Sequence, residues 1–203
     1  MIYEILRFAH LVGLALIAAG LIGVFMNDLR SRQLRDIRLF AEAVRNIAVF
    51  YDGLVVPGAL LLLGSGVWLV VEFYGGWEFL GVPWLAGMVL LFAIEFIEGN
   101  TITRLYFMRL RRLTRIAVAQ ATVSPELERA RREQVPTFTH FLDLPRLLVI
   151  VALGAMRPVS WDVFVVGIIL AIVAAAILTA LLPRLYHGVR TQAPSQPLGV
   201  WMT

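Results

Sequence analysis

The stretch WDVFVVGIILAIVAAAILTALL, residues 161–182, decides the fold. Its only charge is Asp162, at the very start. A helix rises about 1.5 Å per residue, so roughly 20 mostly apolar residues cross the bilayer core. Four more segments approach or meet that standard: residues 3–26, 47–71, 82–103 and 138–156. The last is the least uniform, because Asp143, Pro145 and Arg146 interrupt its start. The expected fold is therefore an all-α membrane protein with five transmembrane helices. The first span is read as retained: Glu4 sits where a basic leader would be, and no small-x-small cleavage site follows.

Composition agrees. Of 203 residues, 60% are hydrophobic and 16% charged, against about 25% charged in soluble domains; the mean hydropathy is +0.81. An ordinary soluble globule, a disordered chain and a nucleic-acid binder are excluded, although the sequence pI is about 10.1. Cysteine is absent, which removes disulfides, thiolate metal sites, iron–sulfur clusters and cysteine nucleophiles. All 18 basic residues are arginine.

Arginine placement sets the expected direction. Arg30, Arg32, Arg35, Arg38 and Arg45 follow span one; eight more, from Arg104 to Arg132, follow span three; Arg184 and Arg190 lie near the end. The other set of connections holds Arg7 and Arg157 with Tyr74, Trp77, Trp84 and Trp161, the composition of an interfacial aromatic belt. The N-terminus is expected outside and the C-terminus in the cytoplasm. The chain reads as one five-helix domain over 1–190, with a cytoplasmic loop at about 104–137 and a flexible tail at 191–203. Helix three is expected to run on to about Ala121. Ser124-Pro125-Glu126 reads as the capped start of a short helix that Pro136 ends. Pro57 and Pro145 are expected to kink spans two and four. The arginine faces suit anchoring beside anionic lipid, with docking of a partner as the alternative. A homo-oligomer or a larger membrane complex stays open.

Ionisable residues inside spans are costly and mark interiors or cavities. They fall in two layers. Near the outside, His10 on span one and Met88 on span three lie roughly 9 Å deep at 1.5 Å per residue. Imidazole nitrogen and thioether sulfur together can hold a haem iron, so haem b is one expected cofactor. About 20 Å deep by the same rise come Asp52, Glu95 and Asp143, with Glu98 and His140 a turn further in. Glu95-x-x-Glu98 and His140-x-x-Asp143 each place two side chains on one helix face. Such pairs on facing helices can hold a divalent Fe, Mn or Zn ion, relay protons, or form a structural network with Arg146. Four acids against one arginine leave negative charge over, which favours a cation or a proton.

The residues Ile5-Leu6-Arg7-Phe8-Ala9-His10-Leu11, Gly20-Leu21, Pro57 to Trp68, Gly76-Trp77 and Val82-Pro83-Trp84-Leu85 resemble a family of bacterial predicted integral membrane proteins of unknown function, over roughly the first 115 residues. That resemblance implies a multi-pass protein of the bacterial cytoplasmic membrane and no particular activity. A more distant resemblance is to the haem-containing membrane protoporphyrinogen oxidases. These also carry a basic residue three before a first-span histidine, matched by Arg7 and His10, and a tryptophan four residues before a lysine, matched by Trp84 and, with methionine in the lysine's place, Met88. It implies a haem on His10, while the lysine and the further histidines of that family are missing. Three readings follow: a haem-binding, redox-linked membrane protein; a metal-binding or proton- or ion-translocating protein using the inner cluster; and a non-catalytic subunit of a membrane complex. No residue is marked as catalytic.

Overall fold

A computed structural model describes residues 1–185; the expected tail at 191–203, with Arg190, lies outside them. In chain order the elements are α1 (Ile2–Gln33), α2 (Ile37–Phe50), a π turn (Tyr51–Val55), α3 (Val56–Phe73), a 3-10 turn (Gly76–Gly81), α4 (Pro83–Glu98), a second π turn (Gly99–Thr103), α5 (Arg104–Gln120), α6 (Pro125–Arg131), α7 (Gln134–Met156) and α8 (Asp162–Leu185). Five helical stretches are long and apolar enough to cross a membrane: Ile2–Gln33, Ile37–Phe73, Pro83–Gln120, Pro125–Met156 and Asp162–Leu181. The all-α, five-span architecture is thus present.

Four of these stretches are much longer than a bilayer requires. At 1.5 Å per residue, the 37 and 38 residues of Ile37–Phe73 and Pro83–Gln120 reach about 55 Å. The excess lies on the arginine-rich side, where the sequence pattern changes. In α2 and α5 one face is apolar and the other charged. Phe40, Val44 and Ile47 of α2 and Leu110, Leu113 and Ala117 of α5 are buried in one core that also takes Leu127 and Ala130 of α6. Arg38, Arg45, Arg111, Arg112 and Arg115 stay exposed. A two-faced pattern belongs in water, and the uniformly apolar α3 and α8 belong in lipid. The pattern assigns these amphipathic ends to water, where their apolar faces form a soluble core continuous with the buried Ile17, Leu21 and Leu62 of the spans.

One expected loop is mostly helix, and the helix expected to run on to about Ala121 ends at Gln120. The arginine segment after span one is the end of α1 and the start of α2, joined by three residues, with Asp36 accepting from the Arg38 and Leu39 amides at 2.8 and 3.1 Å. The region 104–137 is α5, α6 and the start of α7. Ser124 caps α6 as expected, accepting from the Leu127 amide at 3.2 Å. Pro136 does not end α6, which closes at Arg131; it stands in the first turn of α7, where a missing amide hydrogen costs little. Pro145 lies inside α7. Pro57 is the second residue after the first π turn, in the first turn of α3. Its ring would press on the carbonyl four residues back, Gly53, and the widened turn that holds Gly53 relieves that contact.

Within the membrane the packing splits into two groups. α3 lies along α1, while α4 and α8 both lie along α7. Both groups use missing side chains. A Cβ on Gly58 would stand 2.9 Å from the Gly13 carbonyl oxygen, and one on Gly167 would stand 2.8 Å from Val149. In lipid, where apolar burial gives no net drive between helices, such backbone approach supplies the contact energy. At the end away from the arginine core, Tyr74 meets Trp84 edge-on and the Arg157 guanidinium lies 5.3 Å from the Trp84 ring centre. Replacing Gly58 by leucine is expected to force α1 and α3 apart and lower stability by about 3 kcal/mol, the upper end of overpacking costs, read as a lower unfolding temperature in detergent.

Candidate functional site: a buried acid–base cluster

The site lies where the two groups of helices converge, at the level of the π turns. α7 contributes His140, Asp143 and Arg146 at three-residue spacing, which puts them on one face. All three are buried, as are Asp28 and Arg32 on α1. α4 contributes Glu95 and Glu98.

Arg146 is the centre. Its Nη1 lies 2.8 Å from Glu95 Oε2 and 3.3 Å from Glu98 Oε2. The Glu98 contact is a hydrogen bond; the Glu95 contact has the distance of an ion pair without the alignment of one. Glu98 also accepts from the Thr103 hydroxyl at 2.9 Å, and Thr103 lies 3.4 Å from Thr139. Asp143 faces both glutamates, and its Oδ1 has no hydrogen-bond partner among the described residues.

His140 links this group to α1. Its Nδ1 is 3.6 Å from Asp143 Oδ2, and its Nε2 is 3.9 Å from Asp28 Oδ2. Each ring nitrogen therefore faces a carboxylate just beyond hydrogen-bond reach. The ring is held edge-on to Phe107 at 5.2 Å and tilted against Phe141 at 4.9 Å. Asp28 accepts from Arg32 Nε at 2.8 Å, and Arg32 Nη2 donates to Thr137 at 3.4 Å. A continuous polar row thus runs from Arg32 through Asp28, His140 and Asp143 to the Glu95–Arg146–Glu98 group.

A cavity of about 40 Å³ opens on the membrane side of this row. Glu95, Asp143, Tyr51 and Asn100 form its polar end, and its other walls are apolar. The Tyr51 hydroxyl donates to the Gly99 carbonyl at 2.7 Å, so it joins the two π turns directly. Such turns are common at functional sites because they break the regular backbone pairing.

Of the residues expected to share an inner site, Glu95, Glu98, His140 and Asp143 come together. Asp52 does not: its side chain is 54% exposed and pairs with Arg104 at 3.2 Å on the outside of the bundle. The first π turn lies between the regular stretches of this helix and carries Asp52 itself, so a depth counted along a straight helix gave no orientation. Asp28 and Arg32 were the residues missed. Their signal was an acid and an arginine four apart directly after an apolar run, hidden by counting Arg32 as a surface charge. Among the described residues no three His, Cys, Asp or Glu side chains gather around a common metal position, and a guanidinium occupies the space between the two glutamates. His10 and Met88 take separate neighbours. His10 Nδ1 lies 3.1 Å from the Ser65 hydroxyl on α3, while Met88 packs against Gly154 in the α4–α7–α8 group.

Removing one partner of a buried ion pair costs about 3–5 kcal/mol. Arg146→Met is expected to lose that much stability in detergent, and Glu98→Gln added to it should restore part. Asp52→Asn, which removes an exposed pair, should cost less than about 1 kcal/mol.

No curated protein and no solved structure matches the chain. One family model does match, over residues 4–158, more than half of the length. The chain belongs to the family described as "Predicted integral membrane protein (DUF2269)".

Proposed function

We propose that this is a proton-handling protein of the bacterial cytoplasmic membrane, with its N-terminus outside and the buried acid–base cluster as its working part. The observation that carries the reading is a charge mismatch. Asp28, Glu95, Glu98 and Asp143 are four acids in contact with one another through two arginines and one histidine. Full ionisation of all four would leave a buried excess of negative charge, which a low-dielectric interior does not tolerate. With His140 neutral the excess over Arg32 and Arg146 is two charges, and two protons, both on carboxyls or one of them on His140, remove it. A bound metal would remove it as well, but Arg146 already fills the gap between the glutamates. His140 has a carboxylate 3.6 Å from one ring nitrogen and 3.9 Å from the other, so closing either gap to hydrogen-bond distance lets it take a proton on one side and release it on the other. Asp28 and Arg32 place one end of the row near the soluble core, on the side from which protons would enter.

Infrared spectroscopy of the purified protein tests this. A protonated-carboxyl C=O band is expected at neutral pH, weakened in Asp143→Asn and in Glu95→Gln. Four ionised carboxylates together with a stoichiometric metal in elemental analysis would overturn it in favour of a cation site. Orientation has its own test, since the chain has no cysteine. A single cysteine at position 112 (Arg112→Cys) should react with an impermeant thiol reagent only from the cytoplasmic side, and one at position 77 (Trp77→Cys) only from outside.

A further inference from the structure

The two polar layers of the membrane interior are separated by the cavity. On α1 its wall is formed by Leu14 and Ile17, and on α3 by Ala59 and Leu62; Phe92 and Leu147 close it from α4 and α7. From Tyr51 to Leu62, both on its lining, the helix rises about 16 Å. Its inner end is Glu95 and Asp143. Its outer end is one turn from His10, four residues before Leu14 on α1, and Ser65, three residues after Leu62 on α3. The volume has room for about three waters at 10–15 Å³ each.

The hydrogen bonding at the outer end fixes which nitrogen can work as a base. The Ser65 hydroxyl donates to the Leu61 carbonyl at 2.6 Å, so its oxygen accepts from His10 Nδ1 at 3.1 Å. His10 Nε2 then carries the lone pair. No ion pair involves His10 among the described residues; the groups facing it from α3 are Ser65, Gly66 and the Leu62 backbone carbonyl. Asp143 at the other end is faced by Glu95, Glu98, Arg146 and His140.

We infer that the cavity between α1, α3, α4 and α7 is a proton passage with an apolar gate, joining the Glu95–Asp143 end to an outer port at His10 and Ser65. This rests on the proton-handling reading and extends it from holding protons to moving them across the membrane. The apolar walls keep the passage dry and closed in its resting state, and transient hydration opens it, as in pores gated by dewetting. Each transfer is a proton hop with no bond made or broken beyond O–H and N–H: a carboxyl of the inner end gives its proton to water in the passage, and His10 Nε2 takes it up and releases it outside.

The test uses the full chain in liposomes holding a pH-sensitive dye, with an imposed membrane potential. Wild type is expected to show a slow proton flux. His10→Ala and Ala59→Leu, which removes the port and fills the passage respectively, should each abolish it. Leu62→Asn, which wets the wall, should raise it several-fold, and adding Glu95→Gln should remove that rise. Monodisperse elution and an unchanged helical circular dichroism spectrum guard against misfolded variants. Absence of flux in wild type and in Leu62→Asn, with the protonated-carboxyl band intact, would overturn the passage and leave the proton-holding site standing. A flux in Leu62→Asn that ignores Glu95→Gln would mark a nonspecific leak and overturn it as well. Loss of the band itself would remove both readings.

Discussion

A guanidinium buried among apolar helices is the constraint on which the rest depends. A guanidinium carries a full positive charge, and lipid offers it no hydration. At Arg146 it needs anions at fixed distances, and Glu95 and Glu98 provide them from one face of α4. That requirement sets the rotation and height of α4 against α7. Two glutamates around one arginine then create an excess of their own, which Asp143 increases. Through His140 the balance reaches Asp28 and Arg32, and α1 is drawn into the same network. A single costly residue thus ties together the two helix groups that pack separately elsewhere.

Three different forces act along the same helices. In the membrane proper, glycines let backbones touch, and dispersion does the work. At the inner boundary, charge pairing and hydrogen bonds to Thr103, Thr137 and Thr139 take over. Beyond it, Phe40, Ile47, Leu113 and Leu127 form a core that depends on water, as any soluble bundle does. α2 and α5 are therefore amphipathic where α3 and α4 are not, although each pair is one continuous rod.

Much of this was legible in the sequence. The five spans follow from apolar length alone, and Ser124 announced the start of α6 by its residue type. The grouping of Glu95, Glu98, His140 and Asp143 followed from three-residue spacing, because α4 and the start of α7 are regular enough for counting to hold. Where counting failed, the helix was not regular. Asp52 sits inside a π turn, and spacing carries no information about which way such a residue points. Asp28 and Arg32 failed for a different reason: the apolar run ends at Met26, so both looked like surface charges, while α1 continues straight into the packed inner layer. His10 and Met88 share a depth but face different helices, and depth says nothing about azimuth.

The bond from Tyr51 to the Gly99 carbonyl has a mechanical side. Each π turn stores one residue more than an α-helix needs. Sliding that residue along the rod would twist one end against the other by about 100°, the angular step of a single residue at 3.6 per turn. Because the hydroxyl of one turn holds the backbone of the other, neither rod can take up its slack alone. The two long helices are thus pinned to each other at their π turns, and moving the extra residue along either rod would have to break that bond.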